Sequence, residues 1–208
     1  WTECQISVSN SLDEYIIRDL LRQDAKIDLF GVGERLITAR SEPVFGGVYK
    51  LTAVEKEDRS IQPKIKISEN VGKITNPHFK KVYRFYSMET GKASADLMCL
   101  YDEEIDDTAP IEIFDPENTW KTKTLENFVA KELQVPIFKN GECVYESPSV
   151  KEIREYCLAE VATLWDEVRR FTNPHNYYVD LSQKLWDLKN EMINRNRNGN
   201  GNGDRNRD

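Results

Sequence analysis

A strand, a helix and a second strand follow one another between Cys4 and Gly33, and that order confines the start of the chain to α/β architecture. Cys4, Ile6 and Val8 alternate with polar residues until Ser9-Asn10-Ser11 breaks the run. Leu12, Ile16, Ile17, Leu20 and Leu21 then return at helical spacing, and Ser11 with Glu14 three residues later predicts a capping box at the helix start. Arg22-Gln23-Asp24 ends this helix, and Ile27 to Phe30 is a short apolar strand running into Gly31-Val32-Gly33. Two strands joined through a helix are expected to lie parallel with a right-handed crossover.

From Pro43 the patterning changes. Strand-like runs at Val48 to Val54, Lys64 to Ile67, Lys81 to Tyr86 and Ala95 to Tyr101 are separated by polar breaks and predict an antiparallel section. Glu89-Thr90-Gly91 is the hairpin turn between the last two. Asp102 to Asp107 reads as a solvated acidic loop. Ser149 precedes a helical segment in which Val150, Ile153, Tyr156 or Cys157, Val161, Leu164, Trp165 and Val168 recur, so that one face is expected to be buried. Thr172-Asn173-Pro174 ends that segment, and Leu181 to Ile193 predicts another helix. The tail from Asn194 holds only Asn, Arg, Gly and Asp, too little apolar surface to offset ordering, and is expected to be disordered. The organisation expected is therefore 1–42 as βα units, 43–148 as a β-rich section, 149–193 as C-terminal helices and 194–208 as a disordered tail.

Charge narrows the partners. The 208 residues carry a formal charge of −7, which supplies no positive field for nucleic acid or anionic lipid. No apolar run approaches the ~20 residues of a membrane span, and the start lacks a signal-peptide pattern, so a cytoplasmic location without membrane or nucleic-acid partners is expected. Cys4, Cys99, Cys143 and Cys157 have no CxxC spacing and read as reduced, buried thiols. The chain begins at Trp1 rather than Met, the expectation for a truncated or processed product.

Chemistry is expected at the strand ends, where α/β folds place their ligands. Gly31 and Gly33 can take backbone angles that turn successive amides toward a phosphate, and Ser9-Asn10 at the neighbouring strand end would complete such a site. Arg35 and Arg40 could add positive charge, while Glu34 beside an anion would act through its backbone amide rather than its carboxylate. His78 and His175 each follow a proline and read as turn residues. The chain shows no metal-ligand spacing and no serine nucleophile motif, so no complete catalytic set is expected from it.

At these motifs the sequence resembles the carboxyl-terminal part of the nicotinate phosphoribosyltransferase family. The likeness rests on Ile6-Ser7-Val8-Ser9-Asn10-Ser11-Leu12-Asp13-Glu14, Phe30-Gly31-Val32-Gly33-Glu34-Arg35-Leu36, Pro43-Val44-Phe45-Gly46-Gly47-Val48-Tyr49-Lys50-Leu51, Lys66-Ile67-Ser68-Glu69-Asn70, and Asn173-Pro174-His175 with Val179-Asp180-Leu181-Ser182. It implies the terminal portion of an irregular α/β barrel, of the type II phosphoribosyltransferase kind, with an appended antiparallel β-rich section and C-terminal helices. It also implies a homodimeric enzyme of NAD biosynthesis. That enzyme makes nicotinate mononucleotide and pyrophosphate from nicotinate and phosphoribosyl pyrophosphate, with Mg2+ and ATP hydrolysis through a phosphohistidine. By the resemblance, Ser9, Asn10, Gly31, Gly33 and Glu34 correspond to segments that hold the ribose phosphate. The chain departs from the family in having Glu34 where some branches have Thr or Ser, and Pro77-His78 where many have Pro-Gly. The family's phosphohistidine lies upstream of Trp1, and neither His78 nor His175 stands in its context, so the chain by itself is expected to be inactive. The alternative reading is a non-catalytic phosphate-binding or regulatory module derived from that family.

Overall fold

The computed structural model describes residues 3–44 and 46–200. They form two compact units, divided between Tyr49 and Lys50. The architecture is mixed α/β, with five small sheets and five helices among the described residues.

The first unit is built on the expected crossover. Strand β1 (Ser7–Ser9) and strand β2 (Leu29–Gly31) pair in parallel, with Ser9 opposite Gly31. Helix α1 (Glu14–Arg22) connects them, and the short helix α2 (Glu34–Ile37) follows β2. The start of α1 differs from expectation. Ser11 is not the cap, because its φ of 51° lies in the left-handed region, whereas a cap residue needs extended backbone. Asp13 is extended and accepts the Ile16 amide at 2.9 Å. Leu12 is buried, while Ile16 and Leu21 on the apolar face of α1 remain exposed within this unit.

In the second unit β3 (Ala53–Glu55) and β4 (Ile61–Pro63) form an antiparallel pair, and a 3-10 turn spans Val71–Lys73. The strand runs expected at 48–54 and 64–67 are thus mostly irregular, with pairing confined to Ala53–Glu55 and ending at Pro63. The long hairpin is as expected: β5 (Lys80–Ser87) pairs antiparallel with β6 (Ala93–Leu100), and Gly91 takes a positive φ of 66° in the turn. Strands β7 (Ile111–Phe114) and β8 (Thr122–Leu125) make a second hairpin, followed by β9 (Phe128–Glu132) and the small pair β10 (Phe138–Lys139) and β11 (Glu142–Cys143). Strand β12 (Val179–Leu181) completes a four-stranded sheet in the order β12-β6-β5-β9, parallel to β6 at one edge.

Phe85, Ala95 and Leu97 from one face of this sheet meet Ile113, Leu125 and Phe128, and the Phe85 and Phe128 rings cross edge to face at 5.0 Å. The opposite face is polar. There Arg84 binds Asp96 through two nitrogens at 2.8 and 2.9 Å, Tyr177 donates to Asp96 at 3.0 Å, and Tyr86 donates to Glu160 at 2.9 Å. The acidic loop is only partly solvated: Glu103 accepts from the Leu100 amide and the Ser182 hydroxyl, each at 2.7 Å, and Glu104 pairs with Lys81 at 2.6 Å. Cys99 is buried, and burial pushes its thiol up to about 12, whereas Cys4, Cys143 and Cys157 are exposed rather than buried as expected.

The C-terminal helices differ from the periodicity in four ways. Helix α3 (Val150–Thr163) stops where Leu164 and Trp165 turn extended, and α4 (Asp166–Arg169) is a separate single turn. The expected buried face of α3 is absent within this unit, where Val150, Tyr156 and Leu158 are exposed. Leu181 belongs to β12 rather than a helix because it pairs with Met98, and Ser182 then caps α5 (Gln183–Asn200) by accepting the Leu185 amide. Helix α5 also continues past Asn194 to Asn200, supported by a Glu191–Arg195 pair and by an Asn196 side chain donating to the Met192 carbonyl. Disorder is therefore not what the structure shows over 194–200, and residues 201–208 lie outside the described residues.

At the start of α3 Ser149 and Glu152 make a reciprocal capping box. Replacing Ser149 by alanine is expected to cost about 1 kcal/mol of local helix stability. Amide hydrogen exchange checks this: the first turn of α3 should exchange faster in the alanine variant and at the native rate in Ser149→Thr.

Candidate functional site

The parallel pair of the first unit determines where its strand ends lie. Because Ser9 is in register with Gly31, the loops leaving β1 and β2 start side by side. A Cβ on Gly31 would stand 3.1 Å from the Ser9 Cβ, so glycine is what permits the two strand ends to approach this closely. Asn10 and Ser11 both hold positive φ, 85° and 51°, so the chain bends sharply as it leaves β1. Asn tolerates this region and Ser does so at a cost, which places backbone strain immediately beside the candidate residues.

Gly33 caps α2 with φ −113° and ψ −104°, and a Cβ there would meet no atom within 4 Å. The side facing out from Gly33 is therefore open. Glu34 is the first residue of α2, exposed, and its carbonyl accepts the Thr38 hydroxyl at 2.8 Å. By helix geometry the amides of Glu34 and Arg35 have no acceptor within the helix. Ser9, Asn10, Gly31, Gly33 and Glu34 thus lie on two adjacent loops at one end of the β1–β2 pair, with polar and backbone groups presented at the surface.

The two arginines have different fates. Arg40 is exposed, whereas Arg35 pairs with the Asp13 carboxylate that caps α1. Hydrogen bonding from the Ile16 amide, with the Arg35 guanidinium beside it, holds the Asp13 carboxyl below its usual range. Arg35 is therefore a strut between the starts of the two helices rather than a free cation for an anion. The Asp13–Arg35 pairing was missed from sequence because it links positions 22 apart, and only the capping role of an Asp before the helix was available as a signal.

His78 lies in a bend, whereas His175 lies in irregular backbone ahead of β12 rather than in the expected turn. His78 holds φ 73° with its amide on the Thr52 carbonyl at 2.8 Å, and its ring stacks on Tyr101. The His175 amide donates to the Glu167 carbonyl at 2.8 Å. Among the described residues no three His, Cys, Asp or Glu side chains gather as a metal-binding set.

A family profile for the nicotinate phosphoribosyltransferase C-terminal domain matches residues 79–189, more than half of the chain. The chain belongs to the nicotinate phosphoribosyltransferase family. Similar members include the nicotinate phosphoribosyltransferase of Bacillus subtilis (strain 168), 39% identical over 93% of this chain and 39% of that protein. That of Caenorhabditis elegans is 38% identical over 87% of this chain and 32% of its own. The chain thus spans well under half the length of these relatives. The crystal structure of human nicotinic acid phosphoribosyltransferase has the same fold over 91% of this chain and 33% of its own, with a TM-score of 0.66 at 23% identity. The profile falls wholly in the second unit, whereas the candidate phosphate loops are in the first. No helix among the described residues is long and apolar enough to cross a membrane.

Proposed function

We propose that the first unit supplies the ribose-phosphate site of a nicotinate phosphoribosyltransferase. The enzyme of this reading joins nicotinate to phosphoribosyl pyrophosphate, releasing pyrophosphate and giving nicotinate mononucleotide for NAD biosynthesis, with ATP hydrolysis. It is a cytoplasmic homodimer in which β1 and β2 belong to an irregular α/β barrel. The observation that carries the reading is the Ser9–Gly31 register, which brings the two loops together at one end of a parallel pair. Family membership supplies the substrates.

In this role the chain's residues bind and orient. Backbone amides at Gly33 and Glu34 face the sugar phosphate, Gly31 leaves room for Ser9 beside it, and Ser9 and Asn10 offer hydrogen-bonding groups to the phosphate or ribose hydroxyls. Holding the phosphate fixes the ribose so that its anomeric carbon stays in place as it gains positive character and pyrophosphate leaves. Mg2+ and ATP are implied by the family resemblance; among the described residues no three His, Cys, Asp or Glu side chains gather as a set for the metal ion. The chain supplies no phosphohistidine context, and on this reading it has no turnover by itself.

Thermal unfolding of the chain with and without phosphoribosyl pyrophosphate and magnesium tests the reading. A ligand that binds only the folded state raises stability by RT ln(1 + [L]/Kd), about 2.7 kcal/mol at a hundredfold excess over Kd. The expected result is a clear upward shift of the transition with no nicotinate mononucleotide formed. A cooperative transition that does not move would overturn the phosphate site, and product from the purified chain would overturn its inactivity.

A further inference from the structure

The second unit contains a cavity of about 1070 Å³ along the β12 edge of the four-stranded sheet. Its wall includes Asp180, which is only 4% exposed and makes no hydrogen bond or ion pair with the described residues. The Asp180 oxygens are not among the sealed polar atoms, so the carboxylate reaches the cavity while the rest of the side chain is covered. The register explains how this placement arises. Asp180 pairs with Leu97, a core residue, so parallel docking of β12 turns its side chain toward the face covered by the β7–β8 hairpin. Asp115 beyond β7 and Lys123 on β8 are its charged neighbours.

The chemistry of the wall indicates what would satisfy this group. Its charged side chains are Asp115, Glu117, Glu167 and Asp180 against Lys121 and Lys123, with His175 also present. Lys121 already lies 3.8 Å from Asp115. The balance is negative, which disfavours an anion. Metal chelation is disfavoured as well, because the described residues hold no cluster of three ligating side chains. Trp165, Tyr177 and Tyr178 add aromatic surface to the same wall, and aromatic faces attract organic cations. Cavities of roughly 300–1,000 Å³ with a few convergent polar groups are typical of small-ligand sites.

We propose that this cavity is a binding site for an organic cation, an alkylammonium or guanidinium group seated on the Asp180 carboxylate with its hydrocarbon part against Tyr178, which alternation along the chain places on the same face as Asp180. This concerns the second unit and does not rest on the ribose-phosphate reading. Burial, with Asp115 nearby and only Lys123 opposing, pushes the Asp180 carboxyl up to about 6. The site therefore gains its charge, and its affinity for a cation, as pH rises through the slightly acid range.

Calorimetric titration of the chain with agmatine at neutral pH, with inorganic phosphate as the anionic control, tests the proposal. Saturable agmatine binding is expected, weakened at least tenfold by Asp180→Asn and weakened in the wild type on acidification to pH 5. Lys123→Gln, a change on an exposed side chain, is expected to tighten agmatine binding about threefold by removing a competing cation. It keeps the test decisive if the Asn variant does not fold. No saturation by about 10 mM agmatine, equal binding to wild type and both variants, or phosphate binding in its place would overturn the proposal. So would nuclear magnetic resonance titration of Asp180 in this chain at an ordinary carboxylate value, because the carboxylate would then be fully hydrated rather than set into a covered wall.

Discussion

Replacing Arg84 by methionine is expected to lower the stability of the second unit by about 2–3 kcal/mol, because the change strands a carboxylate that the fold has taken out of water. Asp96 is 6% exposed, and after the substitution the Tyr177 hydroxyl is its remaining side-chain partner. Burial, with Asp96 beside it, raises the Tyr177 pKa, so the phenol stays protonated and continues to donate; it cannot neutralise the carboxylate. The loss falls below that of a fully buried pair because 21% of the Arg84 side chain still meets solvent. Glu160 on α3, which Arg84 reaches at 3.3 Å, keeps Tyr86 and Lys131 and should hold its position.

Urea unfolding of wild type, Arg84→Met, Asp96→Leu and the double variant measures this as a thermodynamic cycle. Each single variant should be strongly destabilised and the double variant should recover most of the loss, since two apolar groups leave no buried charge without a partner. Losses that simply add would mean that the two residues act independently.

Gly33→Asp should cut the phosphoribosyl pyrophosphate stabilisation from about 2.7 to about 0.9 kcal/mol at the same ligand concentration, while Gly33→Ala preserves it. Both variants add a Cβ that meets nothing within 4 Å, so neither is expected to disturb the turn sterically. Only the aspartate puts a negative charge where the proposed site expects a phosphate. Repulsion of about 2 kcal/mol would weaken binding roughly thirtyfold. The same thermal measurement reads both quantities, the transition without ligand and its displacement with ligand. If the aspartate variant shows the wild-type displacement, the amides at Gly33 and Glu34 are not the phosphate site.

Much of the first unit was legible because its determinants are local. Alternation from Cys4 to Val8, helical spacing from Leu12 to Leu21 and glycines after Phe30 are periodic or steric signals that hold whatever surrounds them. The same is true of the β5–β6 hairpin, where two β-rich runs flank a glycine that takes positive φ. The helix caps were harder to read. Ser11 and Asp13 both carry cap-forming side chains, and the choice between them depended on a backbone bend at Asn10 and Ser11 that no side-chain pattern announces. The short strands β7 to β11 went unread because two to five residues are too few to display a period.

The sequence by itself determined the parallel βα opening, the close approach at Gly31, the long antiparallel hairpin and, through motifs spread along the chain, its family. Tertiary structure alone decided that Arg35 braces Asp13 instead of facing solvent and that Asp96 and Asp180 both end up buried. Those two carboxylates show why. Asp96 and Asp180 lie on adjacent strands of one sheet, yet one meets a guanidinium and the other faces a cavity. The difference comes from the docking of β12 against β6, a contact between segments more than eighty residues apart in the chain. Backbone preferences and periodicity act over one or two turns and leave their mark in neighbouring residues. Burial of a charge depends on which distant strand supplies the opposite wall, and that is settled only when the sheet assembles.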